Sequence, residues 1–432
     1  MSRFQNGRRV AVISGLRTPF IRSGTSYGNL TSLDLGKLVT VELLNRTEID
    51  PGEIDKVFFG NVVSSVHTPN LAREIALGSG IPPTVPAFTV TSACVSSGQA
   101  FTSAVDSIMS GDSDAVLTGG ADSGTDISIL SGAAPGSKII HSSKGGNLIS
   151  RAKPLFKMRG EEVVPSVAFL PERYTGRMMG EAAEKAARRY KISREEQDEF
   201  AMRSHALASR AQEEGVFEDE LIHTYVPPDF SQVVSRDSGV MDDISPEYLA
   251  RYEPVFDSEF GTVTVGNSSI LSDGASALLL MSEDKAKALG YKPLAYVRAY
   301  AYSALDPSDD LLMSAAFSTP AALDRARVSL SDIDLVEIHE AFSSQVIANL
   351  RALASRGFAK EKLGKAQAVG EIDMERLNVS GGSIAIGHPL SATGGRIIMT
   401  LIYRMTKRSG KLGLVSMPAS GGIGVSIVFE KE

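Results

Sequence analysis

The chain has 432 residues, 43% of them hydrophobic, which is apolar material for two or three packed units rather than one simple core. Charged residues make up 22% and the net charge is −7, so no basic field draws nucleic acid, and Lys and Arg form no run that reads as a tail or membrane-surface patch. A single cysteine excludes an internal disulfide framework and a cysteine-based metal cage, and it fits a reducing, cytoplasmic setting.

The start, MSRFQNGRRV, leads directly into strand-like AVISGL and lacks the apolar stretch and small-residue cleavage site of a signal peptide. No apolar run approaches the ~18 residues needed to span a bilayer. VAVISG reads as a strand, SLDLGKLVTVELLNRT as a helix, DKVFFGNVV as a strand, and REIALGSG as a short helix closed on glycine. FTVTSA is another strand, GQAFTSAVDSIMSG a mostly apolar and so buried helix, and DAVLTGGA a buried strand. Alternation of strands and helices argues for a layered α/β architecture.

The second half repeats this grammar. Glu53-Ile54-Asp55-Lys56-Val57 precedes a strand ending at Asn61, and Asp332-Ile333-Asp334-Leu335-Val336 precedes one ending at His339. Ser97-Gly98-Gln99 opens the helix that leads to DAVLTGG, and Thr393-Gly394-Gly395 opens RIIMTLIYRM, which leads to KLGLVSM. Two copies of one βα unit packed face to face place equivalent helix starts near each other; the competing reading is that any two α/β segments look alike. Residues from about 125 to 250 lose the regular alternation. They hold glycine-rich SGAAPGSKIIHSSKGG, a charged helical stretch GEAAEKAARRYKISREEQDEFAMRSHALASRAQEEG that reads as solvated, and a proline-containing loop. An insertion this long is a lid or binding loop rather than a passive connector.

Cys94 sits in TSACVSSGQ at a strand-to-helix junction among small residues. A helix N-terminus there supplies part of the depressed pKa that thiolate chemistry needs. A second reading stands beside this one, because free cysteine is among the most buried residue types and is usually inert. His388, in GGSIAIGHPLSATGG, occupies the place in the second half that Cys94 holds in the first. With a pKa near neutrality it could take the thiol proton and later return one; a capped, structural histidine is the alternative. His339 and Glu340 follow the strand LVEI, where α/β proteins place ligand groups. His339 could donate to a carbonyl oxygen as half of an oxyanion hole, and Glu340 could orient it or cap the next helix. His67, His141, His205 and His223 lack such a setting and read as surface or packing residues. No spacing suits a zinc site, a phosphate loop or a dinucleotide fold, so no metal or resident cofactor is expected.

Taken together, these residues resemble the thiolases, and especially the β-subunit type of fatty-acid oxidation trifunctional complexes. The resemblance covers almost the whole length. It runs through Arg17-Thr18-Pro19-Phe20, Thr68-Pro69-Asn70-Leu71-Ala72-Arg73-Glu74, Ser92-Ala93-Cys94, Gly119-Gly120-Ala121-Asp122-Ser123 and Gly261-Thr262-Val263-Thr264. It continues through Asn267-Ser268-Ser269, Asp273-Gly274-Ala275, His339-Glu340-Ala341-Phe342, Gly381-Gly382-Ser383, Gly387-His388-Pro389 and Gly421-Gly422-Ile423-Gly424.

The resemblance implies a duplicated five-layered α-β-α-β-α core with an inserted loop domain. It divides the chain into an N-terminal half, 1–124, completed by about 251–290, a loop domain over the CoA site, 125–250, and a C-terminal half, 291–432. It implies that Cys94 accepts the acyl group, that His388 activates it and that His339 shapes the first oxyanion hole. The N–H of Cys94, with backbone groups at Ser420 and Gly421, matches the second hole, and Ser269 lies where the family contacts the pantetheine arm. It implies acyl-CoA and CoA as substrates, a homodimer or homotetramer, and room for an α-subunit partner or for weak membrane association through 125–175.

One departure stands out. Thiolases carry a second cysteine near the C-terminus as general acid/base, and aligning Gly421-Gly422 puts Pro418 at its position. Proline has no titratable side chain, so only Ser416, Ser420 or a water could carry that proton. The remaining Cys-His-His set resembles that of decarboxylating ketosynthases on the same fold. Three functions follow: an acyl-CoA C-acyltransferase that cleaves or forms 3-ketoacyl-CoA, a decarboxylative condensing or acyl-transfer enzyme, and a non-catalytic acyl-CoA-binding subunit.

Overall fold

Period-two alternation decides which layer each strand face meets. The computed structural model describes residues 7–126 and 172–432. Its strands are β1 (Val10–Arg17), β2 (Ile21–Arg22), β3 (Lys56–Gly60), β4 (Ala87–Val90), β5 (Ala115–Asp122), β6 (Thr224–Val226), β7 (Gln232–Val234), β8 (Ser272–Ser282), β9 (Ala295–Ala304), β10 (Leu335–Ile338), β11 (Leu412–Pro418) and β12 (Ile423–Glu430). On β8, Ala277, Leu279 and Met281 join one buried cluster while Leu278 and Leu280 join another. A strand covered on both faces reads as a continuous apolar run, which is why β5 and β8 are buried at every position.

The strands form two arrays of like order. In the first, β4 and β5 flank β3 in parallel, and β8 then runs antiparallel to both β5 and β1. In the second, β10 lies parallel to β11, followed by antiparallel β12 and β9. Leu377 bridges Val336 in parallel, standing where β4 stands in the first array. Among the described residues two residue pairs, Ala11 with Tyr296 and Val12 with Ala295, join β1 to β9 and so one array to the other. A 3₁₀ turn precedes the equivalent strand in each array, Pro51–Glu53 before β3 and Leu330–Asp332 before β10, which is the repeated sequence pattern made visible.

Helices fill three layers. Helices α1 (Ser32–Thr47) and α2 (Leu71–Gly78) cover the outer face of the first array. Helix α3 (Ser96–Met109) lies inside. The insertion contributes α4 (Met179–Arg189) and α5 (Arg194–Glu213), and α6 (Ser314–Ala326) with α7 (Ser343–Ala354) lies on the outer side of the second array. Helix α8 (Ala392–Lys407) packs beside α3 and touches strands of both arrays. The sequence α, β, α, β, α from one outside to the other follows, with α3 and α8 as the central layer. Phe101 of α3 meets Phe429 of β12 edge to face, and Val105, Ile397, Leu401 and Val415 complete this middle core.

Several elements differ from the sequence reading. The strand predicted over DKVFFGNVV ends at Gly60, because Asn61 turns its amide to Ala121 O and Asp122 Oδ1. FTVTSA ends as a strand at Val90, and Ala93 takes a left-handed φ of 49°. The charged stretch 180–215 is two helices, since Lys191 turns left-handed and Ser193 with Glu196 forms a capping box that starts α5. Nor is α5 a solvated helix. Phe200, Ala201, Ser204, His205 and Ala208 are buried, because one face of α5 packs on the turn Ser383–Ile386. Residues 127–171 of the insertion, with the glycine-rich stretch, His141 and most of the 125–175 segment, lie outside the described residues.

A buried ion cluster ties the insertion to β1. Arg17, wholly inaccessible, donates from Nε to Glu220 (2.7 Å) and from Nη1 and Nη2 to Asp237 (2.6 and 2.9 Å). Glu220 also accepts from Thr400 of α8, and Asp237 from the Phe20 N–H. Arg17→Ala would strand two buried carboxylates, so denaturant unfolding should show a loss of about 3–5 kcal/mol. An unchanged unfolding midpoint would mean water already reaches the cluster.

Candidate active site

Two equivalent helix starts meet at the centre of the molecule. Gly394 and Gly395 at the start of α8 approach the start of α3 so closely that a Cβ on Gly394 would lie 2.6 Å from Ser97 Oγ. Gly395 N–H donates to Ser97 Oγ at 2.8 Å. The residues just before these helices, 94 and 388, are therefore brought together from opposite halves.

Cys94 follows the left-handed Ala93, a conformation that costs a non-glycine residue free energy and here turns the sulfur out of the chain. Ser96 holds the turn, donating its hydroxyl to Ala93 O (2.6 Å) and accepting from Ser92 N–H (2.8 Å). On the other side Gly387, at φ 111°, and Leu390, at φ 34°, set the bend that presents His388. A Cβ on Gly387 would collide with Ser272 Oγ at 2.4 Å, so glycine is required by both space and φ. Buried Asp122 pins the loop after this bend, accepting from Ser391 N–H (2.8 Å) as well as from Val63 N–H and Asn61. Its carboxyl is pushed up to about 6 by burial, against those hydrogen bonds.

His388 Nε2 lies 3.2 Å from Cys94 Sγ, and His388 Nδ1 lies 2.6 Å from Thr393 Oγ1. The His339 ring stands 4.4 Å from the His388 ring, centroid to centroid, at 44°. His339 Nδ1 is 2.9 Å from Ser383 Oγ, while its buried Nε2 has no hydrogen-bond partner among the described residues. The N–H groups of Ser420 and of Cys94 itself lie against the sulfur. The structure thus unites Cys94, His339, His388 and Ser420. Pro418 ends β11, buried and paired with Gly424, two residues before the N–H that reaches the thiol. Ser269 N–H donates to Ala341 O, and the next residues run beside the His388 loop, His388 N–H donating to Ile270 O.

Other expectations need correction. The Gly421 N–H donates to Glu172 (2.7 Å) rather than facing the thiol. Glu340 neither orients His339 nor caps α7; it accepts from Ser204, Asn378 and Ile384 N–H, so it holds the turn Ser383–Ile386 and fastens it to α5. Ser416 cannot stand in for the absent acid/base, because its hydroxyl is buried in a chain with Ser426 and Thr319. His205 packs, its Nδ1 accepting from Met241 N–H, while His67 and His223 are exposed.

The charge states also differ from the sequence reading. Burial pushes the Cys94 thiol up to about 11, outweighing the two N–H groups and the helix start. Burial, with the nearby Arg396 guanidinium, pushes His388 down to about 3 and His339 well below its ordinary value. The resting pair is a neutral thiol against a neutral imidazole, not an ion pair. Cys94 nevertheless keeps part of its surface exposed, so a thioester can reach it. Its sulfur and the two rings offer ligand atoms within 4.8 Å of one another, and these three residues would hold a metal ion if one bound.

Sequence reasoning gave no role at the site to Ser383, Thr393 or Arg396, each of which acts on a histidine ring. Arg396 is wholly buried, donates to Ser383 Oγ at 2.8 Å and lies 3.6 Å from Glu337, whose carboxyl burial pushes up to about 8. For Arg396 and its neighbour Glu337 the available signal was a charged residue inside an otherwise apolar segment, RIIMTLIYRM and LVEI.

Comparison with known proteins agrees with this geometry. The thiolase N-terminal domain matches residues 10–284 and the thiolase C-terminal domain residues 291–431. A 3-ketoacyl-CoA thiolase of Yersinia enterocolitica is 42% identical over 428 residues, 99% of this chain and 98% of that protein. The acetyl-CoA acetyltransferase of Bacillus anthracis superposes with a TM-score of 0.85 at 33% identity, covering 98% of each chain. Human mitochondrial 3-ketoacyl-CoA thiolase in complex with CoA superposes with a TM-score of 0.83 at 30% identity, also covering 98% of each. The chain belongs to the thiolase family.

Proposed function

We propose that this protein is an acyl-CoA C-acyltransferase that works through an S-acyl intermediate on Cys94. The observation that carries this reading is the 3.2 Å contact between Cys94 Sγ and a neutral His388 Nε2. As the sulfur attacks the thioester carbonyl carbon, its proton passes to Nε2. The carbonyl oxygen gains charge and takes hydrogen bonds from the N–H groups of Cys94 and Ser420. The carbon–sulfur bond to CoA then breaks, and the imidazolium returns its proton to the leaving CoA thiolate. His339 serves a second oxyanion, that of the enolate in carbon–carbon bond formation or cleavage. Ser269 contacts the pantetheine arm, and residues 125–250 cover CoA between halves 1–124 with 251–290 and 291–432; β8 completing the first array supports that division.

Pro418 favours a second reading of the other half-reaction. With no acid/base there, the donor carbanion is best made by loss of CO₂ from a malonyl-type thioester. The enolate carbon attacks the acyl carbonyl of acyl-Cys94, the carbon–carbon bond forms, the bond to Sγ breaks, and the thiolate takes a proton from solvent. Among the described residues no helix is long and apolar enough to cross a membrane. The partly open edge strand β4, with Phe88 exposed, supports a homodimer or homotetramer, and the single free thiol fits a cytoplasmic setting. An α-subunit partner would bind this oligomer.

Mass spectrometry after mixing with acyl-CoA should show an adduct on Cys94, and His388→Ala should slow its formation by about 10²–10⁴. Failure of the adduct to form would leave a non-catalytic, acyl-CoA-binding subunit as the answer. The acylation rate should stay level from about pH 9 to about pH 5.5, because His388 takes a proton only far below the ordinary value of about 6.5. A solvated imidazole would instead lose activity as pH falls through that value. Malonyl-CoA should support carbon–carbon bond formation where acetyl-CoA does not, and Pro418→Cys should raise thiolysis of 3-ketoacyl-CoA by about 10²-fold or more. Equal thiolysis by wild type and Pro418→Cys would show that another group already moves that proton.

A further inference from the structure

The hydrogen bonds around His339 constrain where its ring proton sits. Arginine has donors only, so Arg396 Nη2 donates to Ser383 Oγ across their 2.8 Å separation. The same hydroxyl oxygen lies 2.9 Å from His339 Nδ1. If it accepted from both neighbours, its own hydrogen would be left without an acceptor in a buried pocket, which native interiors avoid. In the arrangement that satisfies this hydroxyl, it accepts from Arg396 and donates to Nδ1. Burial keeps the ring neutral, so the remaining proton is on Nε2.

That Nε2 is the buried ring nitrogen with no partner among the described residues, on the ring that faces His388. The parts behind it are fixed in turn. Ser383 opens the turn Ser383–Ile386, whose Ile384 N–H is capped by Glu340 (3.2 Å). Arg396 is held in α8, with the buried Glu337 carboxyl 3.6 Å away.

We propose that Ser383, backed by Arg396, is a positioning residue that fixes His339 as an Nε2–H donor aimed at the oxygen of the reacting thioester. The inference rests on the reading of His339 as an oxyanion donor given above. Without the hydroxyl, Nδ1 and Nε2 compete for the proton, and the tautomer with a lone pair facing the oxygen repels the charge it should stabilise.

The test is condensation or thiolysis measured beside alkylation of Cys94 by iodoacetamide, a reaction that needs no oxyanion. Ser383→Ala should lower kcat by about 10²-fold while leaving KM for acyl-CoA and the alkylation rate near wild type. Ser383→Thr, which keeps a hydroxyl, should recover most of the loss. His339→Asn carries an amide N–H with no tautomer to choose, so the loss caused by Ser383→Ala should shrink sharply in that background. Undiminished kcat in Ser383→Ala, or an equal loss in both backgrounds, overturns the proposal. So does a parallel fall in alkylation, which would mark a collapsed site rather than a misdirected proton. Wild-type kcat in His339→Ala would instead sink the oxyanion reading of His339 itself.

Discussion

The closeness of two helix starts sets everything else in this molecule. Helices α3 and α8 are the equivalent helices of a duplicated unit, and they meet where neither can carry a bulky side chain. Gly98 lies against Met417 and Val425, and Gly394 against Ser97 and the Gly98 backbone. A Cβ at Gly394 would have to push one helix away from the other, and the packed layers on both sides leave little room for that. Because Cys94 and His388 lie in the short turns that lead into these helices, the helix spacing also sets the spacing of the sulfur and the imidazole. Core packing and active-site geometry are one constraint here.

Putting the site between two sheets also fixes its electrostatics. Helix starts favour negative charge, yet a surface effect of a few tenths to about 1 kcal/mol is small beside the cost of burying an unpaired ion. The thiol therefore stays protonated and both imidazoles stay neutral, with Arg396 reinforcing the effect on the rings. A neutral pair suits a nucleophile that should ionise only while it is attacking: the charge appears on the substrate oxygen, where N–H groups wait for it. Arg396 and Glu337 occupy the same interior, both buried, and the guanidinium lies close enough to bias the rings, with Ser383 interposed before His339.

Much of this was legible in the sequence, and the limits are physical. The duplication showed because each copy keeps its local grammar, PGEIDKV beside LSDIDLV and two small-residue helix openings. Cys94, His339 and His388 were legible because reactive side chains stood at strand ends and in small-residue or glycine-rich segments leading into helices. The strand ends were not, since Asn61 and Ala93 leave β geometry to meet partners distant in sequence. Helix α5 misled because its charged face was counted and its stripe of Phe200, Ser204 and Ala208 was not. Ser383 and Arg396 were given no role because a serine in a glycine-rich loop and an arginine in a helix look ordinary until a third element lies across them. The charge states were the least legible, since burial comes from the whole fold.

Pro418 acquires its meaning from these charge states. Removing a proton from the carbon beside a thioester needs a base near the reacting atoms. His388 has been pushed down to about 3 and is a weak base toward carbon. His339 with its proton on Nε2 presents no lone pair, and the Ser416 hydroxyl is committed to Ser426. A carboxylated donor avoids the difficulty, because its electron pair is released when CO₂ departs and no proton need be taken. The features that make the site good at the first step, neutral rings and fixed donors, are those that leave it poorly equipped for deprotonation at the second. A donor that carries its own leaving group on the α-carbon is the chemistry such a site suits.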